Sequence, residues 1–253
     1  MSFFRFATVA TTVGVLAVSF APQSAEAFTV NRNLRDENSS LFDFFNARVN
    51  QERLEIADSA LTLLDPSTLF WDGVDPVDVF FINEGAGYRN QLFASINGGS
   101  KTLLFNDVSS TESILSEGDG PLRLGDGGTL GAFTGPTQLS FFIKADGYNG
   151  GTNVYGADPA ANPDGLQHVM AYQYFDAATG DNWVVLGFED LFGVHYDEGG
   201  YSDRDFNDVV FAIRGLQGRP ATPTAKTPES SAVIGLIAVG MLAGATRVRR
   251  ALS

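Results

Sequence analysis

The sequence predicts an all-β fold: an antiparallel β-sandwich of jelly-roll-like form with one N-terminal helical region, flanked by a signal peptide and a C-terminal transmembrane helix. Two observations carry the β expectation. From Trp71 onward apolar residues recur with a period of two, in runs broken by Gly, Asn and Asp. The 253-residue chain also holds 28 Gly and 21 Phe, the composition of short aromatic strands joined by Gly-rich turns. Clean alternation marks Leu92, Ala94 and Ile96, then Leu139, Phe141 and Ile143, then Val209, Phe211 and Ile213. Less regular strands cover Val77 to Ile82, Val169 to Phe175 and Trp183 to Phe188. These runs place the sandwich domain at 71–217. Strands 77–82 and 92–96 are too few to stand alone, which favours one continuous body.

The helical region spans 28–70. Ser39 or Ser40 can cap a helix there, with Leu41, Phe45 and Val49 on one face. Leu54, Ala57, Leu61 and Leu64 continue at helical spacing, and Asp65-Pro66 ends the run.

Both termini carry export features. In residues 1–27, Arg5 supplies a positive start and Phe6 to Phe20 is apolar apart from Thr and Ser. Pro22 breaks that stretch, and Ala25-Glu26-Ala27 fits the small-x-small cleavage pattern of a signal peptide, cut after Ala27. A buried helix would instead have to bury Thr8, Thr11, Thr12 and Ser19 together. At the other end, residues 218–229 form a Pro/Thr/Ala linker closing on Pro228 and Glu229. A charge-free stretch of about 17 residues follows over 230–246, at the short end of the ~17–25 that span a bilayer. Arg247, Arg249 and Arg250 in the tail 247–253 favour a cytoplasmic end. This order of linker, Pro-Glu pair, apolar helix and Arg cluster resembles the PEP-CTERM sorting signal of Gram-negative bacteria, with Ser230 standing where that name has its second Pro. The resemblance implies an exosortase-type processing enzyme as partner, transient membrane insertion, and delivery to the cell envelope or an extracellular polysaccharide matrix. An ordinary C-terminal anchor is the plainer alternative.

Composition narrows the chemistry. The net charge is -14, a field that repels nucleic acid and suits divalent cations. With no Cys, disulfides, thiol nucleophiles and Cys-based zinc or iron–sulfur sites are excluded. The densest polar set is Glu189 and Asp190, then Asp203, Arg204, Asp205, Phe206, Asn207 and Asp208, lying between two apolar strands. Two carboxylates ~4 Å apart in an effective dielectric of ~20 repel by about 4 kcal/mol. A hard cation removes that repulsion, and outside the cell the adaptable oxygen shell of calcium suits a multi-carboxylate loop better than magnesium's tight octahedron. The candidate metal ligands are Glu189, Asp190, Asp203, Asp205, Asn207 and Asp208. Asp203, Asp205 and Asn207 imitate the start of an EF-hand, but Asp208 replaces its Gly, Arg214 replaces its bidentate Glu, and a strand follows where a helix is needed. The competing reading has Asp205, Asn207 and Asp208 bonding turn backbone, with Arg204 and Arg214 as counter-charges.

Other polar residues carry less. Asp72, Asp75 and Asp78 read as the solvated start of a strand, and Asp119, Asp126 and Asp146 as ordinary turns. His168 reads as a satisfied core residue, while His195 beside Tyr196 can line a site. Tyr148, Tyr155, Tyr172, Tyr174 and Trp183 can stack on sugars, with core or rim packing favoured for most.

Four strings resemble the DUF4114 domain in order: Leu139 to Gly147, Asn162-Pro163-Asp164-Gly165 with His168, Leu186 to Leu191, and Asp203 to Ile213. The resemblance covers about Gly120 to Arg214, with Val194 to Tyr201 a longer insert than the family's usual turn. It implies an extracellular β domain of undefined biochemical function, found in secreted, often cyanobacterial, proteins and adhesin-like chains, with calcium held by the acidic set. Three functions compete: a non-catalytic calcium-dependent matrix or adhesion module, a glycoside hydrolase using paired carboxyls such as Glu189 and Asp205, and an ion-free structural envelope protein.

Overall fold

The computed structural model describes residues 28–49, 60–115 and 120–221. The signal peptide with Ala25 and Ala27, and the sorting residues Pro228, Glu229, Arg247, Arg249 and Arg250, lie outside them, as do Leu54, Ala57 and Asp119. Among the described residues no helix is long and apolar enough to cross a membrane.

The described chain is mostly antiparallel β-sheet. The strands are β1 (Arg32–Asn33), β2 (Thr62–Leu64), β3 (Phe70–Trp71), β4 (Val77–Asn83), β5 (Asn90–Ile96), β6 (Thr102–Val108) and β7 (Asp126–Gly131), then β8 (Leu139–Lys144), β9 (Val154–Tyr155), β10 (Val169–Asp176), β11 (Asp181–Phe188), β12 (Val209–Arg214) and β13 (Leu216–Gln217). One sheet runs β1-β7-β4-β12-β11-β10-β2, a second runs β6-β5-β8-β9, and β13 pairs with β3. The N-terminal region thus supplies both edge strands of the large sheet.

The large sheet is covered on both faces, which explains why its central strands β4 and β12 are buried along nearly their whole length instead of alternating. Phe211 on β12 lies opposite Phe81 on β4, and its ring is 5.1 Å from that of Phe105 on β6, across the inter-sheet core. The other face carries Phe80 and Trp183, whose rings are 6.0 Å apart. Phe45 lies 5.7 Å from Trp183 and belongs to helix α2 (Ser39–Asn46), which follows the single turn α1 (Leu34–Glu37). β8 keeps the clean alternation the sequence shows, with Leu139, Phe141 and Ile143 buried.

Local readings shift in three places. The cap of α2 is Asn38, whose side chain accepts the N–H of Leu41, so Ser39 and Ser40 sit inside the first turn. Leu41, Phe45 and Val49 are buried as their spacing predicts. Thr62–Leu64, which continues a helical period, is instead an edge strand registered on β10, with Leu64 opposite Ala171. β7 was not legible as a strand because of its glycines. A Cβ on Gly127 would lie 2.4 Å from the Phe80 ring, and one on Gly128 would lie 2.1 Å from the carbonyl oxygen of Thr29, so bare backbone is needed where β4 and the segment before β1 crowd against β7. The first part of the expected linker is docked: Arg219 accepts the N–H of Asp65, and Ala221 donates to Leu63.

Candidate metal centre

The acidic residues gather where β11 ends and β12 begins. These strands are antiparallel neighbours with Phe188 opposite Val209, so Glu189 and Asp190 leave one strand beside the point where Asp208 enters the next. Asp203 and Asp205 come from the preceding loop. Its backbone is left-handed at Arg204 (φ 57) and again at Phe206 (φ 58), a conformation costing roughly 1–2 kcal/mol at each non-glycine residue. The insert 194–201 does not hold the two acidic strings apart. His195 bridges Ser202, Tyr196 donates to the Ser202 carbonyl, and Gly200 lies so close to Val194 that a Cβ would clash with its carbonyl oxygen. The insert is a side excursion that returns to its start.

Two groups of carboxylates result. Ligand-type oxygens of Glu189, Asp203 and Asp205 lie within 4.8 Å of one another, and so do those of Glu189, Asp190 and Asp208. Glu189, Asp190, Asp205, Asn207 and Asp208 are all buried, with Glu189 wholly so; Asp203 is half-buried. All five acids and Asn207, the six residues predicted from the sequence, therefore sit at one end of the large sheet.

The neighbouring strands brace the cluster. Asn90 at the start of β5 donates to Asp190 Oδ2 at 2.6 Å and its own carbonyl oxygen Oδ1 accepts the N–H of Asp146, tying the second sheet to the cluster. The N–H of Asp190 donates to Asp208 Oδ2 at 2.7 Å, and that of Asn207 to Asp205 Oδ1 at 3.0 Å. The turn-bonding alternative is thus present in part. Its counter-charges are present only in part: Arg214 sits at the opposite end of β12 paired with Asp78, while Arg204 eases the charge of Glu189 but donates its guanidinium to the Gln167 carbonyl.

Glu189 decides the chemistry of the cluster. Its Oε1 accepts the N–H of Leu191 at 3.1 Å and the Ser202 hydroxyl also acts on the carboxylate, while Oε2, fully buried, accepts no hydrogen bond at normal geometry among the described residues. An ionised oxygen left so would be costly. Burial raises the Glu189 carboxyl, pushes Asp190 up to about 7, and lifts Asp208 well above the ordinary carboxylate range, with the neighbouring acids adding to the effect. The donor set is all oxygen and anionic, with three carboxylates per group inside the span that one calcium ion allows, since oxygens at ~2.3–2.6 Å from one ion are at most ~5 Å apart. The residues fit a hard divalent cation. An open cavity of about 550 Å³ beside the cluster is lined by Asp190, Asp203 and Asp208 together with Tyr88, Tyr196 and Tyr201.

Sequence reasoning missed Glu84. It follows β4, its Oε1 accepts the N–H of Ser110 at 2.9 Å, and burial pushes its carboxyl up to about 8. An acid two residues after the all-apolar run Val79 to Ile82, with only Asn83 between, was the available signal. Asp164 and His168 form a neighbouring support. His168, fully buried and stacked 3.8 Å from Tyr155, faces the Glu189 carbonyl through Nδ1 at 2.8 Å and Asp164 through Nε2 at 2.9 Å. Burial pushes the imidazole down, yet both nitrogens face only acceptors, so the ring satisfies both only as an imidazolium. Burial also opposes ionisation of Asp164, but the Gly193 N–H, the His168 ring and the Leu166 N–H outweigh it and hold that carboxyl below its usual range. His168 is a core residue, as expected. Tyr155, Tyr172 and Trp183 are buried too, and Tyr174 packs on Phe44 and Phe45.

A family model described as Domain of unknown function (DUF4114) matches residues 133–215. That DUF4114 segment runs from before β8 through β12, so it holds every predicted ligand but neither Glu84 nor Asn90. Neither a curated protein nor a solved structure matches the chain.

Proposed function

We propose that the chain is a non-catalytic β module that binds calcium at the Glu189 cluster and acts in cell-envelope or extracellular-matrix adhesion and structure. One observation carries the calcium reading: a wholly buried carboxylate oxygen, Glu189 Oε2, accepts no hydrogen bond among the described residues and lies in a cluster of four further carboxylates. A cation compensates it; a neutral cluster of shared protons is the competing solution. Two antiparallel sheets meeting through one aromatic core support the sandwich reading of the scaffold.

The hydrolase alternative has little in its favour. Paired glycosidase carboxyls must face a sugar between them. Glu189 and Asp205 are buried, with oxygens of their group inside 4.8 Å, leaving no room for a ring.

Thermal melting in millimolar calcium against EDTA tests the reading. A ligand at 100 times its Kd stabilises by about 2.7 kcal/mol, which for a body of this size raises Tm by roughly 5–10 °C. An unchanged midpoint overturns it. Export rests on residues 1–27 and on Pro228, Glu229 and the three tail arginines. The intact mass of the chain recovered from its source tests both ends, with Phe28 as the expected first residue and loss of the segment beyond the Pro-Glu pair as the mark of exosortase-type processing. An extracellular polysaccharide is the partner this destination suggests.

A further inference from the structure

The carboxylates do not form one set but two, and they share a single member. Asp203 and Asp205 reach Glu189 from the loop, while Asp190 and Asp208 reach it from the ends of β11 and β12. We propose that the cluster holds two divalent cations, with the Glu189 carboxylate bridging them; this rests on the calcium reading above and adds its stoichiometry and geometry.

Three observations carry the bridge. The first is connectivity. Each group of three has its ligand-type oxygens within 4.8 Å, inside the ~5 Å that two oxygens on one calcium can span, and Glu189 alone belongs to both. The second is Glu189 itself. It is fully buried, and its Oε2 accepts nothing at hydrogen-bond geometry among the described residues, while Oε1 takes the Leu191 N–H and the Ser202 hydroxyl also acts on the carboxylate. A carboxylate has about four lone-pair sites, so these two donors still leave capacity for two metal contacts. The third is charge. Five carboxylates carry five negative charges, of which one divalent ion offsets two. A second ion brings five carboxylates against four positive charges, close to balance.

The two sites differ in character. The strand-side site, on Asp190 and Asp208, is buried more deeply than the loop side and braced by Asn90, which holds Asp190 from the opposite sheet. The loop-side site contains half-buried Asp203 and depends on the left-handed turns at Arg204 and Phe206. Asp203 opens on the cavity, as do Asp190 and Asp208, so waters reach both sites to complete the six to eight oxygens that calcium takes. The strand-side site is expected to fill first because its oxygens are fixed by two strands, and the loop-side site second.

Equilibrium dialysis of the folded full chain against radiolabelled calcium tests this, with circular dichroism to show that each variant is folded. Two calcium ions per chain are expected for the unaltered protein, one for Asp208→Asn and one for Asp203→Asn, which is half-exposed and the safer substitution. Glu189→Gln is expected to weaken both. One ion per chain in the unaltered protein, lost alike in Asp208→Asn and Asp203→Asn, overturns the bridge and leaves the calcium reading standing. No bound calcium overturns both.

Discussion

Asp78 and Glu189 are both wholly buried acids on the same sheet, and they are handled in opposite ways. Asp78, on β4, meets Arg32 of β1 at 2.6 Å and Arg214 of β12 at 2.5 Å, and also accepts the Thr129 hydroxyl. Its charge is answered by side chains folded against it from both neighbouring directions. Glu189, where β11 ends, has no ion pair among the described residues and is surrounded by four more carboxylates. The first arrangement completes itself. Among the described residues the second has Arg204 as an electrostatic counterweight to five carboxylates and no ion pair to Glu189, and that difference separates a structural acid from a candidate binding one.

The largest expected effect is on the self-contained end. Asp78→Asn leaves two guanidinium groups without their anion. Removing one partner of a buried pair costs roughly 3–5 kcal/mol, and because the Arg32 and Arg214 side chains are 29% and 25% exposed the loss here should be about 2–3. Denaturant melts in calcium and in EDTA should show the same loss. If the penalty depended on calcium, the two ends would not be independent.

Glu189→Gln should do the reverse. In EDTA it removes a carboxyl whose ionisation burial opposes, so the variant is at least as stable as the parent. In calcium it should lose most of the parent's ~2–3 kcal/mol of ligand stabilisation. A Tm gap that fails to change sign or collapse between the two conditions would remove Glu189 from the site.

A smaller effect follows from Glu84. Its folded value near 8 lies above the ordinary glutamate value of 4.5, so the folded state holds the proton more tightly. The stability this contributes is complete below pH 4.5 and is lost as the pH rises toward 8. Burial is the main cause; Asp107 and Asp190 add repulsion, while the Ser110 N–H and Ser113 hydroxyl oppose it. In EDTA, Glu84→Gln should flatten the decline in Tm between pH 5 and 8, and a slope equal to the parent's would show that Glu84 does not titrate there.

The smallest effect serves as the control. Asn38→Ala removes the cap of α2 and should cost about 1 kcal/mol with calcium or without.

The same contrast explains what was legible beforehand. Glu189, Asp190, Asp203, Asp205, Asn207 and Asp208 crowd into two short strings, and the apolar runs around them read as strands, so adjacency in sequence announced adjacency in space. Asp78 looked like a solvated strand start because its partners, Arg32 and Arg214, are distant in the chain, and only sheet order brings them together. Glu84 was hidden for the same reason: Ser110, its hydrogen-bond donor, arrives from beyond β6. Thr62–Leu64 fits a helical period because two Leu three apart suit either geometry, and its pairing with β10 is a long-range choice that no local pattern encodes. The β7 glycines read as turn because the crowding that demands them comes from Phe80 and Thr29.

Arg219 and Ala221 hydrogen-bond to Asp65 and Leu63 along the outer side of β2. Without them that margin would offer amides and carbonyls to any passing strand, the usual route by which sheet proteins stick to one another. Clipping the chain at Gly218 would uncover this margin, so a shortened product should remain folded yet self-associate at concentrations where the longer one stays dispersed.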